Sequence, residues 1–122
     1  WAVELKESAN LIGMVGLHYQ ELTLPKSPFI EIGWRLAANY WRHGYATEAA
    51  QAALHYAFTT LQQEIVYAFT AKINTPSQHL MQKLGMKNSQ QDFYHPQVMR
   101  NNQLAIHCLY QISKKQWQQT VN

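Results

Sequence analysis

Apolar and polar side chains alternate over Trp1–Leu5, the two-residue period of a half-buried strand. A second strand is expected over Leu11–Tyr19, where Gly13 and Gly16 point to a bulge or a close neighbour. Between them Glu7–Asn10 reads as a hairpin turn, with Asn10 suited to the left-handed conformation. Two prolines make Leu24–Pro28 a loop. Phe29–Leu36 is the third strand, with Glu31, Gly33 and Arg35 on one face and Ile30, Ile32, Trp34 and Leu36 on the other. The period then changes. Ala50, Ala53, Leu54, Ala57, Phe58 and Leu61 recur at helical spacing and predict a helix over Ala46–Leu61 whose small residues allow close approach to a sheet.

Glu64–Thr70 returns to strand. Asn74 or Thr75 caps a second helix, with Pro76 in the first turn, Leu80, Met81 and Leu84 on its apolar face, and Gly85 as its stop. Met86–Tyr94 and Leu104–Ile112 are closing strands around a polar loop, Pro96–Gln103, and Ser113–Gln118 is a short terminal helix. The pattern predicts one α/β domain, residues 1–122, on a mostly antiparallel sheet.

At 122 residues the chain has room for one core, and a net charge of +3 suits a polyanionic ligand without reaching a nucleic-acid footprint. Its lysines are dispersed rather than gathered in a stripe. No apolar run approaches bilayer length, so no membrane partner is expected. The lone Cys108 cannot form an internal disulfide, which makes a reducing cytoplasm the expected compartment. The six histidines show none of the usual ligand spacings, and no metal is expected.

The segment Trp41-Arg42-His43-Gly44-Tyr45-Ala46-Thr47-Glu48 is a glycine-centred loop running into a helix start. Exposed amides and the positive end of the helix dipole favour phosphate oxygens there. Asn74-Thr75-Pro76-Ser77 opens the second helix. The ordered series EIGWRL, YWRHGYATEAA, VYAFT and NTPSQHLMQKLGM, over about residues 11–112, closely resembles the GCN5-related N-acetyltransferases (GNAT), in particular their ribosomal-protein N-terminal acetyltransferase branch.

The resemblance implies a mostly antiparallel sheet with splayed central parallel strands and flanking helices. It also implies acetyl-coenzyme A as cosubstrate and an amine as acceptor. Trp34, Leu36, Arg42, His43, Gly44, Tyr45, Ala46, Thr47, Asn74 and Ser77 are then the expected cofactor contacts, with the loop holding the pyrophosphate. Relative to that pattern the chain is short at its N-terminus, where family members carry a strand and two helices that wall the acceptor site. An exposed sheet edge there leads us to expect self-association, as a homodimer.

For the chemistry, Glu31 is the first candidate for the base that takes the amine proton, set against a plain surface carboxylate. His95 and His107 are rivals, set against ordinary strand histidines. A backbone N–H near Trp34 is the candidate oxyanion donor. Ser77 is the candidate proton donor to the leaving thiolate, set against a simple first-turn residue. Gly33 suits close approach of the pantetheine arm, or a sheet bulge. The leading expectation is an N-acetyltransferase acting by direct attack; the alternative is a non-catalytic coenzyme A-binding or protein-interaction domain of that fold.

Overall fold

The computed structural model describes residues 1–37, 40 and 44–120. In chain order the elements are β1 (Ala2–Glu4), β2 (Leu11–Gln20), β3 (Phe29–Leu36), α1 (Tyr45–Thr59), β4 (Ile65–Ala71), α2 (Thr75–Lys83), β5 (Lys87–Asn88), β6 (Phe93–Tyr94), β7 (Ile106–Ser113) and α3 (Lys114–Thr120). They form one sheet in the order β1-β2-β3-β4-β7-β5, with β6 also on β7. Every described pairing is antiparallel except β3 with β4. A parallel pair needs a crossover, and α1 supplies it.

The alanine stripe of α1 explains how that crossover packs. Ala50, Ala53 and Ala57 bring its backbone close to the sheet, where Leu54 and Phe58 lock among Val15, Ile32, Val66 and Ala68, all buried. Leu80, Met81 and Leu84 extend this core under α2, and Trp117 of α3 closes it, 5.2 Å from Phe58 between ring centroids. The opposite sheet face carries a smaller cluster of Leu24, Phe29, Tyr67 and Leu109. This face receives no helix among the described residues.

Several expectations are corrected. The left-handed residue of the first hairpin is Ala9 (φ 58°), not Asn10, because the turn is closed by Leu5 N–H to Asn10 O and Ala9 N–H to Leu5 O. Helix α1 stops at Thr59 and Leu61 is 39% exposed, since Leu61 N–H turns back to Tyr56 O and Gln62 follows at φ 54°. The expected strand Met86–Tyr94 is split in two: the Asn88 side chain accepts the Gln90 N–H, and Gln90 turns at φ 64°. Strand β7 starts at Ile106 because Asn102 accepts the Leu104 N–H in a turn before it.

The two glycines of β2 differ. A β-carbon on Gly13 would run into the Arg35 carbonyl oxygen and come within 2.9 Å of Leu36, while one on Gly16 meets nothing within 4 Å. Only Gly13 therefore marks a close neighbour, and the register shift between Val3 and Glu4 leaves Ile12 as an extra residue beside it. Gly33 pairs in regular register with Gly16, so it is not a bulge. Gly13→Ala is accordingly expected to cost about 1–3 kcal/mol in chemical denaturation through overpacking, with Gly16→Ala much closer to the parent protein.

Candidate active site

Strand β3 pairs with β2 along its whole length, from Phe29 to Leu36, and β4 with β7 from Ile65 to Ala71. Toward each other the two strands share a single register position, Glu31 opposite Tyr67. Each is held firmly on its outer side, so they diverge beyond that point without either strand losing its ladder. The sequence expectation of splayed central parallel strands is met.

A groove of about 1100 Å³ lies at the C-terminal end of β3, between the starts of α1 and α2. Trp34, Leu36, Gly44, Tyr45, Ala46 and Thr47 line it from one side, Asn74 and Ser77 from the other. Arg42, His43 and Trp41 lie outside the described residues. Gly44 stands at the N-cap of α1 with φ 82°, a conformation that costs a glycine little, and as a glycine it offers no side chain to cap that helix start. Arg35 and Lys83 also line the groove, and none of its described lining residues is acidic. Two helix N-termini and two cations fit a ligand carrying phosphates. Sequence reasoning passed over Arg35 and Lys83 as lining residues; Lys83 is the last residue of α2, six beyond Ser77.

On α2 the Asn74 side chain accepts the Ser77 N–H at 3.3 Å, so the capping role is present. The helix is further tied to the sheet by the buried Tyr110. Its hydroxyl donates to Gln78 Oε1 at 3.2 Å and accepts from Gln82 Nε2 at 3.3 Å.

Glu31 faces away from the helices, at the last position before the strands part. Burial pushes its carboxyl above the usual carboxylate range. A hydrogen bond from Gln20 and the nearby His18, its register partner on β2, act in the other direction. Gln20 is the residue that sequence reasoning missed. It is 6% exposed, its Oε1 accepts the Leu22 N–H at 3.0 Å, and its Nε2 therefore has to point the other way, donating to Glu31 Oε1 at 2.9 Å. A polar residue ending a strand gives no such signal in one dimension.

On the same face, Phe69 of β4 contacts the rings of Phe93, His95 and His107 at centroid distances of 5.8–6.0 Å, and the two imidazoles are 5.0 Å apart. Cys108 is buried on the helix side, where burial pushes its thiol up, as expected of a core residue. No group of three or more His, Cys, Asp or Glu that could hold a metal occurs among the described residues. No described helix is long and apolar enough to cross a membrane.

A family model described as an acetyltransferase (GNAT) domain matches residues 1–87. The chain belongs to the GNAT family. Among its relatives, the uncharacterized N-acetyltransferase YnaD of Bacillus subtilis is 34% identical over 87 residues, 71% of this chain and 50% of that protein. The crystal structure of a GNAT-family acetyltransferase from Bacillus anthracis is 29% identical with a TM-score of 0.74, covering 93% of this chain and 65% of that one. An acetyltransferase from Agrobacterium tumefaciens is 25% identical with a TM-score of 0.68, covering 91% and 58%. The chain spans about half the length of the curated relatives it matches. The sheet continues past the family match through β6 and β7, and α3 follows it.

Since Gln20 donates to the charged form of Glu31, Gln20→Met is expected to raise the Glu31 pKa further above its ordinary value. Carboxyl-carbon NMR titration of the two proteins measures this; an unmoved or lowered midpoint contradicts it.

Proposed function

We propose that this GNAT chain is an acetyl-coenzyme A-dependent N-acetyltransferase of the ribosomal-protein N-terminal acetyltransferase-like type, acting on an amine of a protein N-terminus or a small molecule. The observation that carries the reading is the single register contact between β3 and β4, opening onto a groove lined by two helix starts and by no described acid. Acetyl-coenzyme A supplies the activated acetyl group.

Each residue then has a role. The α1 start at Gly44, with Arg42 and His43 from the loop, receives the pyrophosphate; Trp34, Leu36, Tyr45, Ala46 and Thr47 complete that wall. Asn74 and Ser77 meet the pantetheine end. The amine reaches the gap from the face that carries Glu31, whose raised pKa suits a group that must accept a proton near neutrality. As the nitrogen lone pair forms the new C–N bond, the carbonyl oxygen gains charge, and a backbone N–H near Trp34 is our candidate donor to it. The C–S bond breaks with its electron pair on sulfur, which takes a proton from the Ser77 hydroxyl, directly or through water; Ser77 regains its proton from solvent water as Glu31 returns the amine proton to solvent.

Release of free coenzyme A thiol with a panel of amines tests the reading; no amine-dependent release overturns it. Gly44→Val forces a branched side chain into a left-handed conformation, about 1–2 kcal/mol unfavourable, and is expected to weaken acetyl-coenzyme A binding in calorimetry with the helix retained. Glu31→Gln is expected to lower kcat roughly 10²–10⁴-fold. In the parent protein the rate should fall as pH drops through the raised Glu31 pKa, because protonation removes the base. Ser77→Ala should lower kcat more than it raises KM, as a leaving-group donor acts mainly in the transition state.

A further inference from the structure

On the sheet face without helices, the imidazoles of His95 and His107 are held in opposite tautomers. His95 Nδ1 lies 3.1 Å from the Gln97 backbone N–H, which can only donate, so Nδ1 accepts and the proton sits on Nε2. His107 Nδ1 lies 3.3 Å from the Ala105 carbonyl oxygen, which can only accept, so Nδ1 carries the proton and Nε2 presents a lone pair. Burial holds both rings below the ordinary histidine pKa. For His107 the Ala105 hydrogen bond opposes this and the neighbouring His95 adds to it. Both are therefore neutral near pH 7.

Neither Nε2 has a hydrogen-bond partner among the described residues, and no buried side-chain nitrogen or oxygen there is left unsatisfied, so both atoms reach solvent. The result is one N–H donor and one acceptor side by side, on rings 5.0 Å apart and flanked by Phe69 and Phe93.

The position matters as much as the polarity. Phe69 is two residues past Tyr67, the last point at which β4 meets β3, and both share the face of Glu31. His107 lies opposite Ala71 on the neighbouring strand. The pair is thus separated from the strand gap by the width of β4, roughly 5 Å. An extended chain advances roughly 3.5 Å per residue. An acceptor with its amine in the gap would lay its first or second amide across Phe69 onto the two rings.

We propose that His95 and His107 form an acceptor subsite for a carboxamide, His95 Nε2–H donating to its carbonyl oxygen and His107 Nε2 accepting its N–H. The subsite rests on the acetyltransferase reading above and adds a class to it: the acceptor carries an amide a few bonds from the reacting amine. Plain alkylamines and polyamines offer no carbonyl to this pair.

His95→Phe and His107→Phe keep ring packing against Phe69 and remove the polar atoms. With alanylalanine amide or 4-aminobutanamide as acceptor, each variant is expected to raise KM roughly three- to tenfold, the worth of one hydrogen bond, with n-butylamine kinetics unchanged. Whichever carboxamide shows the loss identifies the source, peptide or small molecule. Equal effects on all three acceptors, or none, overturn the subsite. Should no amine be acetylated, the acetyltransferase reading fails by itself, and the subsite is read separately by titrating the 122-residue chain with alanylalanine amide while following imidazole ¹⁵N resonances. Movement of both Nε2 signals, absent with n-butylamine, supports the pair; no movement overturns it.

Discussion

The two central strands can part because each is secured from outside. A β-strand that gives up one neighbour normally exposes a row of unpaired backbone groups and loses much of its support. Here β2 follows β3 for its full length and β7 follows β4 for its full length, so the parallel contact at Glu31 and Tyr67 has only to fix the angle between two stable antiparallel ladders. The groove, the placement of Glu31 at the apex and the separation of a helix-covered face from a bare one all follow from that arrangement.

The two faces divide the chemistry. On the helix side, α1 and α2 bring their N-termini to the same groove, which no described acid lines, and this favours negative charge. On the other side the groups are a carboxylate disposed to be protonated more easily than usual and two neutral imidazoles among phenyl rings. In the proposed reaction a thiol ester held from the first face and an amine arriving at the second would meet where the strands open. On that proposal, polyanion binding and proton handling would fall to different surfaces of the sheet.

Much of this was legible in one dimension. Phe29–Leu36 was readable because Ile30–Leu36 alternates without a break, the period of a strand, and α1 was readable because alanines at helical spacing next to Leu54 and Phe58 have no use in a strand. Asn74 and Pro76 announced α2 by local capping chemistry alone. What could not be read depends on hydrogen-bond directions that only the folded chain sets. Gln20 is an unremarkable strand end until Leu22 and Glu31 fix its amide from both sides. The histidine tautomers depend on carbonyl and amide groups two residues away whose direction only the folded turns define. The overextended ends, at Leu61 and at Leu104, failed because turns closed by backbone and asparagine side-chain hydrogen bonds overrode an apolar residue's preference for burial.

Strand β7 alternates between those two surfaces within four residues. Tyr110 points to the helices and fastens α2 through Gln78 and Gln82, whereas His107 and Leu109 point to the bare face. Because side chains on a strand change sides at every residue, a one-residue slip of β7 against β4 would turn the tyrosine outward and the imidazole inward in a single step. The same strand is thus a common frame of reference for both faces, and its register, more than the identity of any one of its residues, keeps the two in phase.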